Sequence, residues 1–288
     1  MQNLRGVFTA LVTPFKNGEV SLEQYRALCQ RQVDAHVAGL VPCGTTGETP
    51  TLTPAEWASL VSCAVSVAGG RVPVIAGCGT NSTPSTVANI DKAAALGADA
   101  ALVVFPYYNK PNPAGLLAHV QAACAVGLPV VLYHVPGRTG QRLGAAQLET
   151  LCRVPGVCAL KEATGDVALG IDVVQRLQDT DVRILSGDDF TFAPLVAMGG
   201  DGVISVISNV APALTVQWFN AADSGDVVTL RRLSGQLMPI VRALFDDVNP
   251  APAKAMLAKM GLCENEVRLP LAPTTLTDAD VARLDGLT

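Results

Sequence analysis

Short β-branched runs recur eight times along this 288-residue chain, each followed by a stretch with the apolar spacing of a helix, and this repetition limits the available folds more than any other feature. The runs are Val7 to Phe15, Leu40 to Cys43, Val72 to Ala76, Ala100 to Phe105, Pro129 to Val135, Val157 to Leu160, Val182 to Leu185 and Gly202 to Ile207. Their starts lie 20 to 33 residues apart, the length of a strand, a crossover helix and two loops. Such units build parallel sheets, and eight of them favour closure over an open doubly wound sheet. The expected fold is therefore α/β, a (β/α)8 TIM barrel. An open dinucleotide-binding sheet needs a G-x-G-x-x-G turn after its first strand, and Ala10 to Gly18 has none.

Helix-start chemistry stands at Ser21, at Thr53-Pro54 and at Thr83-Pro84, and Gly39, Gly69 and Gly97 are expected to stop three of the helices as C-cap glycines. After about Ala211 the strand signal ends, and Leu214 to Ala222, Val227 to Phe245 and Ala251 to Met260 read as helices. The expected organisation is a barrel over residues 1–225 and a C-terminal helical extension over 226–288, with Asn249-Pro250-Ala251-Pro252 as the break between its helices.

A hydrophobic content of 49% lets a chain of this length bury a large core. The formal charge of −5 is spread along the chain without a Lys/Arg cluster, which argues against nucleic acid as a partner. No run approaches the ~20 apolar residues needed to span a bilayer, and MQNLRGVFTALVTPF has no basic segment followed by a signal-type cleavage site. The expectation is a cytoplasmic protein without a membrane partner. Eight cysteines sit singly in apolar stretches, with no C-x-x-C and no histidine at zinc-ligand spacing, and read as reduced residues in or near the core rather than as a metal site.

In such a barrel the chemistry lies at the C-terminal ends of the strands. Lys161 is the sharpest signal there. It follows Val157-Cys158-Ala159-Leu160, a run that reads as buried on both faces, where an ammonium is costly to desolvate. Desolvation favours the free amine, which attacks a carbonyl to form a Schiff base; the competing reading is a salt bridge to an acid across the barrel. Glu162, being adjacent, faces the other way and cannot easily serve as that acid. Tyr133 and His134 have opposite parity, so only one of them looks into the barrel. Tyr133 is either a proton relay or a packed aromatic, and His134 reads as helix-facing.

Gly44-Thr45-Thr46-Gly47 offers hydroxyls and consecutive N–H groups suited to a carboxylate. Arg138 can clamp a second carboxylate or lie solvated at the surface. Asp188 and Asp189 admit either Mg2+ or a helix-capping role, and capping is favoured because no other strand end supplies a carboxylate cluster.

Six segments in this order resemble the dihydrodipicolinate synthase branch of the N-acetylneuraminate lyase superfamily. They are Gly44-Thr45-Thr46-Gly47-Glu48, Pro106-Tyr107-Tyr108-Asn109, Tyr133 to Gly140, Lys161-Glu162-Ala163-Thr164-Gly165, Leu185-Ser186-Gly187-Asp188-Asp189 and Gly202-Val203-Ile204-Ser205. The resemblance implies a lyase in lysine and diaminopimelate biosynthesis that needs no metal or organic cofactor. Lys161 would form the Schiff base with pyruvate and Thr46 would help bind its carboxylate. Thr45, Tyr133 and Tyr108 would relay protons, with Tyr108 reaching in from a neighbouring subunit of a homotetramer or homodimer. Arg138 would bind aspartate 4-semialdehyde, while Gly187 and Ile204 line the pyruvate side through backbone groups. His134 and Gly137 stand where the family usually has Asn and Ser. Where the family's lysine-feedback site often uses histidines and a glutamate, this chain has Pro54, Trp57 and Ser85, with Asn81 and Tyr107 kept. A pyruvate-dependent aldolase acting on a sugar acid, a metal-dependent barrel and a non-catalytic metabolite-binding barrel are the competing functions.

Overall fold

Eight parallel strands close into a ring in the computed structural model, which describes residues 4–284. They are β1 (Gly6–Ala10), β2 (Gly39–Val41), β3 (Ile75–Gly77), β4 (Ala100–Val104), β5 (Val130–His134), β6 (Val157–Glu162), β7 (Arg183–Ser186) and β8 (Gly202–Ser205). Each pairs with its sequence neighbour, β1 pairs with β8, and the seam between β2 and β3 is held by a Leu40↔Val74 bridge. The strands are almost wholly buried, as continuous apolar runs covered on both faces must be.

Helices α1 (Leu22–Asp34), α2 (Pro54–Ala68), α3 (Thr83–Ala95), α4 (Pro113–Cys124), α5 (Ala145–Cys152), α6 (Val167–Arg176), α7 (Phe192–Ala197) and α8 (Pro212–Ser224) follow the strands in turn. After them come α9 (Val227–Leu244), α10 (Ala251–Lys259) and α11 (Asp278–Leu284). Inward-facing side chains such as Phe8, Val41, Ile75, Val131, Tyr133 and Ile204 form one core cluster. The outward faces and the helices form a second, larger one. No described helix is long and apolar enough to cross a membrane.

The local chemistry corrects several expectations. The first run is too long: after Ala10 the chain leaves the sheet. Phe15–Lys16 then pairs antiparallel with Glu19–Val20 across Asn17 (φ 55°) and Gly18 (φ 82°), a turn whose positive φ angles suit Asn-Gly. Ser21 caps α1, and Thr53 with Glu56 forms a capping box at α2, as their positions predict. The cap of α3, however, is Ser82, with Thr83 already helical. Gly69 is a left-handed C-cap and Gly97 follows α3 at φ 86°, but Gly39 stops nothing. It lies in β2, where a Cβ would run into the Phe8 ring that fills the barrel.

Candidate active site

Parallel pairing sets the centre of the site. Tyr133 and Lys161 are register partners on β5 and β6, so their side chains leave the sheet on the same side. Both are 6% exposed, and Lys161 Nζ lies 4.1 Å from the centre of the Tyr133 ring. Among the described residues no acid or hydrogen-bond acceptor pairs with Lys161. A second buried lysine shows what a structural one looks like. Lys254 on α10 is fully buried, with Nζ 2.7 Å from Glu48 Oε1 and 4.1 Å from the centre of the Phe15 ring. Burial pushes the Lys254 ammonium below its ordinary value, and Glu48 opposes that shift.

The neighbouring parity also holds. His134 is fully buried outside the barrel interior, its Nδ1 3.3 Å from Glu162 Oε1, and the Leu143 N–H donates to Nε2 at 3.1 Å. With Nε2 accepting, the neutral ring carries its hydrogen on Nδ1, facing Glu162. Glu162 thus serves His134 and the Thr164 N–H rather than Lys161.

Gly187 follows β7 directly beneath the lysine. A Cβ there would stand 2.7 Å from Lys161 Cε and 2.6 Å from Ala163 Cβ, so glycine is what leaves room for the lysine stem. Ile204 on β8 belongs to the barrel-interior cluster that contains Tyr133.

After β2 the chain makes a tight turn in which the Gly47 and Glu48 N–H groups donate to Gly44 and Thr45 carbonyls, each at 3.1 Å. Thr13 Oγ1 donates to the Gly47 carbonyl at 2.7 Å. Thr46 is buried and its Oγ1 accepts from Asn249 Nδ2 at 3.0 Å. Thr45, Tyr133 and Arg138 line one cavity of about 510 Å³, together with Tyr107 and Asn249. Arg138 sits on the single helical turn Pro136–Thr139, exposed, with no ion-pair partner among the described residues, and it also lines an adjoining cavity of about 460 Å³.

Lys161, Thr46, Gly187 and Ile204 are not among the residues lining the larger cavity, and Tyr108 stands apart from the cluster altogether. It is 87% exposed, on left-handed backbone at φ 69°. Asp188 and Asp189 are structural, but the capping expectation fails: the helix that follows has Thr191 as its N-cap, without a side-chain cap bond. Asp189 is buried and accepts from the Val206 and Ile207 N–H groups at 2.8 and 3.0 Å, while Asp188 accepts from Thr191 Oγ1 at 2.6 Å. Burial raises the Asp189 carboxyl above its usual range, and those hydrogen bonds oppose the rise. Among the described residues no three His, Cys, Asp or Glu side chains are grouped to hold a metal.

Sequence reasoning assigned no role to Glu48, read Asn249 only as part of a break between helices and passed over Lys254. The one available signal was a lysine inside the apolar run Ala251 to Leu257.

A family model described as the dihydrodipicolinate synthetase family matches residues 3–282. The 4-hydroxy-tetrahydrodipicolinate synthase of Thermomicrobium roseum is 46% identical over 271 residues, covering 94% of this chain and 89% of its own. The crystal structure of dihydrodipicolinate synthase from Thermotoga maritima superposes with a TM-score of 0.93 at 41% identity, covering 99% of this chain and 98% of that one. The chloride-inhibited dihydrodipicolinate synthase from Acinetobacter baumannii, solved with pyruvate, gives 0.93 at 36% identity, with 99% and 97% coverage.

Proposed function

The chain belongs to the dihydrodipicolinate synthetase family, and from that membership we propose that it is a 4-hydroxy-tetrahydrodipicolinate synthase. In this reading it is a class I aldolase-type lyase that joins pyruvate to L-aspartate 4-semialdehyde on Lys161, in lysine and diaminopimelate biosynthesis. The observation that carries the reading is a buried lysine with no counter-ion among the described residues, set against a phenol ring, while the fully buried Lys254 is paired.

Lys161 Nζ attacks C2 of pyruvate, and loss of water gives the protonated imine. That imine is the electron sink, so no metal or organic cofactor is required. Loss of a proton from C3 gives the enamine, which attacks the aldehyde carbon of the semialdehyde. The semialdehyde's own amine then closes the ring on the imine carbon and releases Lys161. Thr45, Tyr133 and Tyr108 relay the protons, and the Thr45–Thr46 turn receives the pyruvate carboxylate. Gly187 and Ile204 border the pyruvate through their backbones. Arg138, exposed where two cavities meet, takes the semialdehyde carboxylate with paired hydrogen bonds.

Tyr108 serves a neighbouring copy in a homotetramer or homodimer, a role supported by its 87% exposure. Eight unpaired thiols fit a reducing, cytoplasmic setting.

Steady-state turnover with pyruvate and a panel of aldehydes tests the acceptor. The reading expects aspartate 4-semialdehyde to exceed sugar and hydroxy aldehydes in kcat/KM by about a hundredfold or more, because Arg138 rewards its carboxylate. A sugar-acid aldehyde turned over as well or better would replace the acceptor and leave the Schiff base standing.

A further inference from the structure

The turn that carries Thr45 and Thr46 is held from the far end of the chain. Glu48, which closes it on left-handed backbone at φ 55°, receives Lys254 Nζ on Oε1 at 2.7 Å and the Arg268 N–H on Oε2 at 3.0 Å. The Glu48 and Lys254 side chains are 1% and 0% exposed. A buried ion pair adds little stability over apolar residues of the same volume. What it does supply is direction, because each charge accepts its partner in few positions.

The second tie is Asn249 Nδ2, which donates to Thr46 Oγ1 at 3.0 Å. With that oxygen accepting from the amide, the threonine hydroxyl keeps its own hydrogen as a donor. Asn249 lines the same cavity as Thr45, and it stands just before the helix that carries Lys254.

Resting on the Schiff-base reading above, we infer that Lys254 and Asn249 are positioning residues for the pyruvate step: through Glu48 and Thr46 Oγ1 they hold the Thr45–Thr46 turn in the geometry that receives the 2-oxo acid. Neither residue touches the reacting atoms. The helix after the barrel is thereby part of the substrate site.

Two variants of the full-length protein test this. Asn249→Leu keeps the volume and deletes the amide. Glu48→Gln combined with Lys254→Met removes both buried charges together and avoids the lone charge that either change alone leaves behind. The readouts are the borohydride-trapped pyruvate adduct against pyruvate concentration, steady-state KM and kcat for each substrate, and thermal unfolding. The expected result is half-saturation by pyruvate raised roughly five- to tenfold, with kcat at saturating pyruvate and KM for the semialdehyde little changed.

Half-saturation within about twofold of wild type in the folded variants overturns the inference, as does a loss confined to kcat or to folded yield. Asn249→Leu decides alone if the double variant does not fold. Wild-type protein that forms no adduct refutes the Schiff-base reading and this inference together; a wild-type adduct with unshifted variants refutes only this one.

Discussion

Lys161 and Tyr133 are register partners on adjacent parallel strands, and the lysine Nζ lies 4.1 Å from the centre of the tyrosine ring. The ring shields the amine and its hydroxyl is the part suited to proton transfer, so the two contributions can be separated. Tyr133→Phe keeps the packing and removes the relay. We expect kcat to fall by about a hundredfold or more, with the unfolding temperature close to wild type. Near-normal turnover in that variant would reduce Tyr133 to a wall of the pocket.

Gly187 is set by the lysine above it. An alanine there meets Lys161 Cε at 2.7 Å and Ala163 Cβ at 2.6 Å, so the lysine stem must move. Gly187→Ala is expected to cost about 1–3 kcal/mol of stability by overpacking and to slow adduct formation by about a hundredfold through misplacement of the amine. Adduct formation at the wild-type rate, measured in single-turnover trapping, contradicts this.

Glu56 offers an acid-stability prediction. Its side chain completes the α2 capping box and takes a two-pronged hydrogen bond from Arg268 at 2.6 and 2.9 Å. The Arg268 hydrogen bond, the largest influence, holds the Glu56 carboxyl down at about 2, below its ordinary 4.5. A carboxyl depressed on folding stabilises fully above its unfolded value, so this contribution is complete above about pH 5 and is lost as pH falls toward 2. Solvent reaches the pair, which keeps the effect modest. Glu56→Gln should flatten the slope of unfolding temperature against pH between about 5 and 2. An unchanged slope excludes this pair as a source of acid sensitivity.

The stretch that matches the family's lysine-feedback site supports weak inhibition. Trp57 lines the cavity here, and Lys92 Nζ stands 5.5 Å over its ring while donating to the Pro54 carbonyl at 2.8 Å. A free lysine's amino group would meet a cation where it needs a carboxylate. Millimolar L-lysine should leave most of the activity in a steady-state assay, and strong inhibition contradicts the reading.

Legibility in the sequence followed the range of the interaction. Lys161 stood out because a charge ended an apolar strand, and the parity of β5 separated Tyr133 from His134 without any tertiary information. The first strand was overread because Leu11 and Val12 are as apolar as a strand, although they leave the sheet; the Asn17-Gly18 turn that follows was a local signal left unused. Gly39 read as a helix stop because its clash partner, Phe8, lies on another strand. The roles of Lys254 and Asn249 were missed for the same reason in stronger form: their partners Glu48 and Thr46 are 206 and 203 residues away. Periodicity describes α10 as a helix, and only closure of the barrel brings it to the turn.

The central claim is a covalent bond at Lys161, and mass spectrometry after treatment with pyruvate and borohydride tests it most directly. Wild-type protein should gain one reduced pyruvate adduct per chain, located on the peptide containing Lys161, and Lys161→Ala should gain none. An unmodified wild-type chain, or an adduct that persists in Lys161→Ala, would contradict the account.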